Sequence, residues 1–396
     1  MYVGPPEGIG NNVKSLTIKT LAIVVGSMLA ITACSSTESA GQTQPKELTV
    51  GGLFAMTGTY ASYGEQQSNG AKLAFKQVNA DGGAGGSKIV LKIEDTKGEP
   101  TTGVTSMNKL ATVDKVPFVF TSVSSVISAT APVGTQQKVT MMNGGGTAPT
   151  LAGLSPYLFT NVPLETLHIE NEAKYSQETL GLKTLGIVYT DDALGQADSE
   201  VMEKVWTKLG GTVVNTQSVE ATATTFRSQL TQIASKKPDA IYFAVGGQQI
   251  PIGLNQSREL GIKSQILGTS FWTVPETLNA AKGSSEGVIF STQQWDPTDP
   301  ANETATKFVS DYKKEFGTDP QGNAAAYYVG ATILVDVVTN LNKNKKAITG
   351  TSIRESLIDI GKFTTIFGEI TFAKDGTSSM PVSLLTVKDG AFTAVK

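Results

Sequence analysis

The chain has 396 residues, 39% of them hydrophobic and 17% charged, with a formal net charge of −3, which suits a globular chain long enough for two domains with separate cores. It has no basic field to hold nucleic acid, and its three arginines, Arg227, Arg258 and Arg354, leave little scope for bidentate guanidinium capture of an anion. One cysteine and one histidine exclude an internal disulfide and a zinc site of the usual nitrogen and sulfur ligands; an all-oxygen Ca²⁺ or Mg²⁺ site is compatible with the composition, but no D-x-[DN]-x-[DN]-G loop occurs and no cofactor is expected.

In chain order, residues 14–34 come first, reading KSLTIKTLAIVVGSMLAITAC. Lys14 and Lys19 precede an apolar stretch, Leu21–Ile31, that has the length of a secretory signal and is too short for a permanent membrane span. Ile31-Thr32-Ala33-Cys34 resembles the bacterial lipobox, whose cysteine becomes the lipidated first residue after cleavage. Residues 1–33 are therefore expected to be a signal peptide, Cys34 the lipid attachment site, and residues 34–46 a flexible tether. The competing reading, a buried helix ending in cysteine, is opposed by the small polar run Ser35–Gln42, which has no large apolar residue to pack.

From Leu48 onward, short apolar runs alternate with helical patterns. Strands are predicted at Leu48–Phe54, Lys88–Glu94, Val116–Thr121, Val139–Asn143 and Leu158–Asn161, and again at Leu185–Tyr189, Thr212–Gln217, Ala240–Val245, Ile266–Gly268 and Val288–Ser291. Most are continuous apolar runs, as in parallel sheets covered on both faces. Helices are predicted near 65–78, 102–113, 125–137, 165–180, 196–209, 224–236 and 249–260, then 302–316, 323–342 and 351–360. The pattern implies an α/β fold with right-handed crossovers, built as two similar units. Ile366–Lys396 returns to short strands with a turn at Lys374-Asp375-Gly376.

Several segments in order resemble the branched-chain amino-acid binding proteins of ABC importers. They are Val50–Gly70, the helix to Asn79 with Asp81-Gly82-Gly83, Lys92–Thr96, Val123–Ser128, Gly145–Pro149, Ile187–Tyr189 before Asp191-Asp192, Phe226–Ile233 with Pro238–Ile241, and Ile366–Asp375. The likeness spans roughly residues 48–390 and rests on the collinear series. It implies two Rossmann-like lobes with parallel sheets joined by a three-strand hinge (a type I periplasmic binding protein). A small organic ligand, an amino acid or related carboxylate, would bind between the lobes and be enclosed by hinge closure. Lobe one would be 47–162 plus 297–365, and lobe two 163–296 plus 366–396. The implied partners are an ABC importer permease and, through Cys34, the extracytoplasmic side of a bacterial membrane.

The resemblance also implies site residues. Ser124, opening the helix after Val116–Thr121, matches a donor to a ligand carboxylate; a plain helix cap is the alternative. Gly145 and Thr147, in a glycine turn that lets backbone approach closely, match contacts to an α-carboxylate and α-amino group; an ordinary turn is the alternative. Tyr63 matches a rim tyrosine, or it simply packs. Lobe two departs from the pattern. Leu194 stands where amino-acid binders place an aromatic ring, another ring is missing near Gly246-Gly247, and Ser270 replaces the carboxylate that neutralises the ligand's ammonium. An enclosed cation without a partner is costly, so either Asp191, Asp192 or another acid substitutes, or the ligand has no ammonium. Phe271, Trp272 and Trp295 either wall the cleft or pack the lobes.

An enzyme is not expected. Gly283-Ser284-Ser285-Glu286-Gly287 matches G-x-S-x-G, but a strand is predicted after it rather than before, and His168 is placed on an exposed helix face. Neither a dinucleotide fingerprint nor a Walker sequence occurs. The alternative function is a ligand-sensing protein that feeds a signalling receptor.

Overall fold

The computed structural model describes residues 1, 4, 45–58, 60–273, 280–295 and 302–395. The expected signal peptide beyond its first residues, Cys34, and nearly all of the expected tether lie outside the described residues. The described residues from Pro45 onward pack as one unit.

The first series of apolar runs becomes one parallel sheet. Strands β1 (Glu47–Phe54), β2 (Lys88–Asp95), β3 (Phe118–Thr121), β4 (Thr140–Asn143) and β5 (Leu158–Thr160) lie in the order β2-β1-β3-β4-β5. Helices α1 (Ala61–Ala80), α2 (Pro100–Asn108) and α3 (Ser124–Gln137) connect them. Every residue of β3 and β4 is buried, which is why these strands read as continuous apolar runs rather than as alternation. Later in the chain, α8 (Glu303–Phe316), α9 (Gly322–Lys343) and α10 (Gly350–Ile360) return to this lobe, sharing one cluster with Phe54, Phe118, Phe120 and Phe159. Helix α9 is long and apolar enough to cross a membrane, yet 67% of its most apolar window is buried against α1 and the sheet. Its apolarity is that of a core helix.

The second series forms the other lobe. Strands β6 (Thr184–Thr190), β7 (Thr212–Val219), β8 (Ala240–Ala244), β9 (Gln265–Gly268) and β10 (Ile289–Gln293) are parallel. They alternate with α4 (Glu165–Glu178), α5 (Ala193–Lys208), α6 (Arg227–Ala234) and α7 (Gln249–Glu259). All ten predicted strands form, in two sheets, as the expected fold class requires.

The return of the chain to lobe two comes later than the expected boundary at 365/366. Strands β11 (Lys362–Thr365), β12 (Gly368–Phe372) and β13 (Ser378–Ser379) make a small antiparallel sheet. It buries Phe363, Ile366, Phe367, Ile370 and Phe372 in the lobe-one cluster. The Gly376 carbonyl accepts from the Thr160 amide at 2.9 Å, tying the predicted turn to β5. Only β14 (Val382–Lys388) and β15 (Ala391–Ala394) join lobe two, antiparallel beside β10. The chain thus passes between lobes after β5, after β10 and at Pro381. The Gln294 amide donates to the Pro381 carbonyl at 3.3 Å and joins the last two passages.

Candidate functional site

In open α/β sheets the carboxyl ends of strands are where ligands bind. In lobe one these are the loops after β3 and β4. Val123, with φ 65° and ψ 113°, ends the β3 loop in a conformation that β-branched residues rarely adopt; strain of about 1–3 kcal/mol of this kind collects at ligand-handling turns. Helix α3 begins at the next residue, so Ser124 occupies its first turn. Capping is not its role, because no side chain caps this helix. Its Oγ accepts a 3.4 Å bond from the Ala148 amide and joins the two loops. The first amides of α3 supply the positive end of a helix dipole there.

At Gly145 the described contacts are internal to the turn. The buried Asn143 Oδ1 accepts from the Gly145 amide at 2.9 Å and the Gly146 amide at 2.7 Å, while its Nδ2 donates to the Gly146 carbonyl at 2.7 Å. The Gly145 N–H is therefore already engaged. Space beside it is tight: a Cβ would lie 3.0 Å from Gln67 Nε2, 3.1 Å from Ser122 Oγ and 3.2 Å from the Tyr327 hydroxyl oxygen. These groups form a polar floor in which Tyr327 donates to the Thr121 carbonyl at 2.6 Å, and burial raises the phenol's pKa. The Gln67 Oε1 and Thr121 Oγ1 are buried without a partner among the described residues. Thr147 is half-buried, and its carbonyl accepts from the Glu165 amide at 2.8 Å, across to the first turn of α4. Tyr63 is 42% exposed, its ring 6.4 Å from that of Tyr60. It stands one helical turn before Gln67, at the rim, and no hydrogen bond among the described residues joins it to the other site residues.

Lobe two holds a cavity of about 250 Å³ at the ends of β6, β8 and β9, lined by Thr190, Leu194, Asp198, Gly246 and Thr269 among others. Gly246 has nothing within 4 Å of where a Cβ would stand. The cavity thus occupies the region where the two expected rings are missing. Leu194 packs against the cluster that includes Ala148 and Leu151 of lobe one, so it also joins the lobes. Ser270 stands beside the cavity; its amide and hydroxyl donate to Glu165 at 3.0 and 2.6 Å.

Behind this wall is a group of buried acids that sequence reasoning missed. Glu165 and Glu172 lie on the buried face of α4, and Asp198 on α5. Glu172 accepts from the Gly268 amide at 3.1 Å. Burial raises the pKa of all three, well above the usual carboxylate range for Glu172 and to about 9 for Asp198, where Glu165 and Asp192 add like-charge repulsion. Two acids named from the sequence are otherwise occupied. Asp192 caps α5 by accepting from the Leu194 and Gly195 amides at 3.0 and 2.8 Å, and Asp191 accepts from Gln196 at 2.6 Å. His168 is not on an exposed face: it is 3% exposed, 3.0 Å from Ser291 Oγ of β10, and burial holds its pKa down to about 4.

The aromatic candidates separate. Trp272 is core, packed on Phe243 and Phe290, and Trp295 packs on Phe308 and Phe367 of lobe one. The Phe271 side chain lies outside the described residues. Ser285 Oγ donates to the Lys282 carbonyl at 3.1 Å, and β10 follows it, so the serine pattern is a short turn and not a strand-to-helix elbow.

The family model for periplasmic binding proteins matches residues 47–391. The Leu/Ile/Val-binding protein BraC3 of Rhizobium johnstonii is 27% identical, over 96% of this chain and all of that protein. Among solved structures, the branched-chain amino acid substrate-binding protein LivJ of Streptococcus pneumoniae, in complex with isoleucine, matches with a TM-score of 0.73 and 22% identity, covering 88% of this chain and 98% of that one. A solute-binding protein of an ABC transporter from Rhodopseudomonas palustris, in complex with 3,4-dihydroxybenzoic acid, matches with a TM-score of 0.72 and 23% identity, covering 88% and 95%. The paired parallel sheets, the three passages and the strand-end cleft are the fold these proteins share. With 47–391 matched by the family model, the chain belongs to the periplasmic binding proteins and is similar to those that bind branched-chain amino acids.

Proposed function

We propose that this protein is an extracytoplasmic solute-binding lipoprotein that takes an amino acid or a related small carboxylate into its cleft and presents it to an ABC importer. The observation that supports this reading best is that two unlike surfaces lie at the strand ends of the two lobes. Lobe one offers the start of α3, Ser124 and Thr147 to an anion, and lobe two offers a cavity lined by Leu194 and Gly246 to the rest of the ligand. The relatives' names point the same way: BraC3 is a Leu/Ile/Val-binding protein, and the liganded neighbours hold isoleucine and 3,4-dihydroxybenzoic acid. All of these ligands are small carboxylates. Ligand binding between the lobes would favour the closed arrangement by its differential affinity, giving a permease a shape to recognise.

The test is a thermal-shift panel on the chain from residue 35 onward, with leucine, isoleucine, valine, phenylalanine, benzoate, 3,4-dihydroxybenzoate and their carboxamides. At least one acid should raise the melting temperature and its amide should not; an acid panel without effect overturns the reading. The anchor is tested separately. Metabolic labelling with palmitate should mark the full chain and fail with Cys34→Ala.

A further inference from the structure

We propose that the base of lobe one, at the amino ends of its strands, is a membrane-docking face that settles on the anionic lipid headgroups of the bilayer carrying the anchor. This rests on the reading above of Cys34 as the lipid attachment site, and it adds an orientation. The molecule stands on lobe one, with Ser124 and Thr147 at the strand ends away from the surface.

The face is built where chain ends converge. Lys46 immediately precedes β1, Lys88 opens β2, Lys115 lies three residues before β3, and Lys138 two residues before β4; all four are exposed. These strands are parallel, so one end of the sheet collects all four lysines. The end of α9 is tied to the same place. Asn342 Nδ2 donates to the Ala84 carbonyl at 2.7 Å and to Ser87 Oγ at 3.0 Å, which brings the exposed Lys343 and Lys345 to this end. The Thr140 hydroxyl, two residues after Lys138, donates to the Gly350 carbonyl at 2.7 Å and closes the connection from α9 to α10 against β4.

None of the six lysines holds an ion pair among the described residues. Against them stand the exposed Glu47 and Asp81, with Glu355 further along α10, while Asp114 is tied to Lys92 at 2.6 Å. The whole chain carries a formal charge of −3, so this end has the opposite sign to the average. An anionic surface repels the rest of the molecule and attracts this face, which orients it.

Charge alone does not select lobe one. Lys183, Lys236, Lys237 and Lys263 stand exposed before β6, β8 and β9, at the amino ends of lobe-two strands. The point where the chain enters the fold makes the choice. Ser87 Oγ donates to the Pro45 carbonyl at 2.6 Å, and the Lys88 amide donates to the Lys46 carbonyl at 3.0 Å, so the chain enters at the lobe-one base, among these lysines. Pro45 follows Cys34 by eleven residues, a length of chain that spans at most about 40 Å. An anchor at Cys34 therefore keeps this base near the bilayer and makes each weak lipid contact an intramolecular one. A lysine beside an anionic surface strengthens attachment by roughly fivefold, and the attraction fades beyond about 10 Å at 0.1 M salt.

Amine footprinting of the full, lipidated chain tests this. The protein is placed on vesicles of phosphatidylcholine, or of equal parts phosphatidylcholine and phosphatidylglycerol, and treated briefly with a water-soluble acetylating reagent. Mass spectrometry then reads labelling lysine by lysine. Lys46, Lys88, Lys115, Lys138, Lys343 and Lys345 should label more slowly on the anionic vesicles, by about threefold or more, and the difference should vanish at about 1 M salt. Lys183, Lys236, Lys237 and Lys263 should label alike on both lipids. The triple variant Lys46→Gln, Lys88→Gln, Lys345→Gln changes exposed side chains only, and in it the slowing at Lys115, Lys138 and Lys343 should be largely lost. Equal labelling of the lobe-one lysines on the two lipids overturns the docking face and leaves the anchor standing. So does slowing at both lobes alike, or slowing that survives in the triple variant. If the full chain does not stay with phosphatidylcholine vesicles, the anchor reading falls and the docking face falls with it.

Discussion

Asp198 and His168 are buried within the same lobe, and burial moves their titrations in opposite directions. An Asp in the unfolded chain titrates near 3.8; in the fold, Asp198 holds its proton up to about 9. Between these values the unfolded chain has lost a proton that the native protein keeps, so Asp198's contribution is fully present below pH 3.8 and declines as pH rises towards 9. For His168 the free value of 6.5 falls to about 4. The unfolded chain then binds the extra proton, and the contribution present above pH 6.5 is lost as pH falls towards 4. Asp198→Asn removes the first effect while leaving the second, and it also leaves Glu165 and Glu172, whose raised values have Asp198's sign. The ligand-free variant should therefore be more stable than the parent at pH 8, by on the order of 1–3 kcal/mol, with the difference shrinking towards pH 5. Denaturant midpoints across that range at constant m-value measure it. A variant weaker than the parent at pH 8 would mean that the carboxylate has a stabilising partner.

Helix α4 shows what the sequence revealed about elements and what it concealed. Its extent was legible, 165–180 expected and Glu165–Glu178 found, as were the ten strands, because continuous apolar runs between helical patterns have few other solutions. The facing of α4 was not legible. Glu165, His168 and Glu172 recur at helical spacing and read as a polar outer stripe, yet they point inward with Ile169, Ala173 and Ser176, while Glu170, Lys174 and Glu178 are exposed. Only the partners on β9 and β10, a hundred residues on, explain the inversion: the Gly268 amide and Ser291 hydroxyl satisfy groups that would otherwise be costly to bury. Sequence separation likewise hid Gln67 and Asp198, while Asn143, whose partners are two and three residues on, reads as an ordinary strand end; Ser124, Thr147 and Leu194 sit at strand ends that the pattern locates. The delayed return to lobe two was hidden likewise, since β11 and β12 are short hairpin strands whose apolar face fits either core. The facing of α4 is directly testable. Ile169→Ala, at a fully buried position, should cost about 2–4 kcal/mol; Glu170→Ala, one residue later and exposed, should stay within about 0.5 kcal/mol. Equal effects at the two positions would contradict the inward stripe.

At the scale of the whole molecule, the two lobes are held by three chain passages and by contacts across the cleft, and the balance between those contacts and solvent decides how often the cleft is shut. Leu194 is an apolar side chain that belongs to both sides: it lines the lobe-two cavity and packs on the cluster that includes Leu151. The passages include backbone ties such as Gln294 to Pro381, which a side-chain change leaves in place. Leu194→Ala should therefore loosen closure without unfolding either lobe. Losing part of a half-buried leucine contact is worth about 1–2 kcal/mol, a shift of roughly five- to thirtyfold in the ratio of closed to open forms. Apparent affinity falls with the closed fraction when closure is required for tight binding, so ligand binding should weaken by a comparable factor. Small-angle scattering separates this from a lost ligand contact. The ligand-free variant should have a larger radius of gyration than the ligand-free parent, and at saturating ligand the two should coincide. If affinity falls while the ligand-free radius is unchanged, Leu194 acts only by touching the ligand, and closure must be governed by the passages instead.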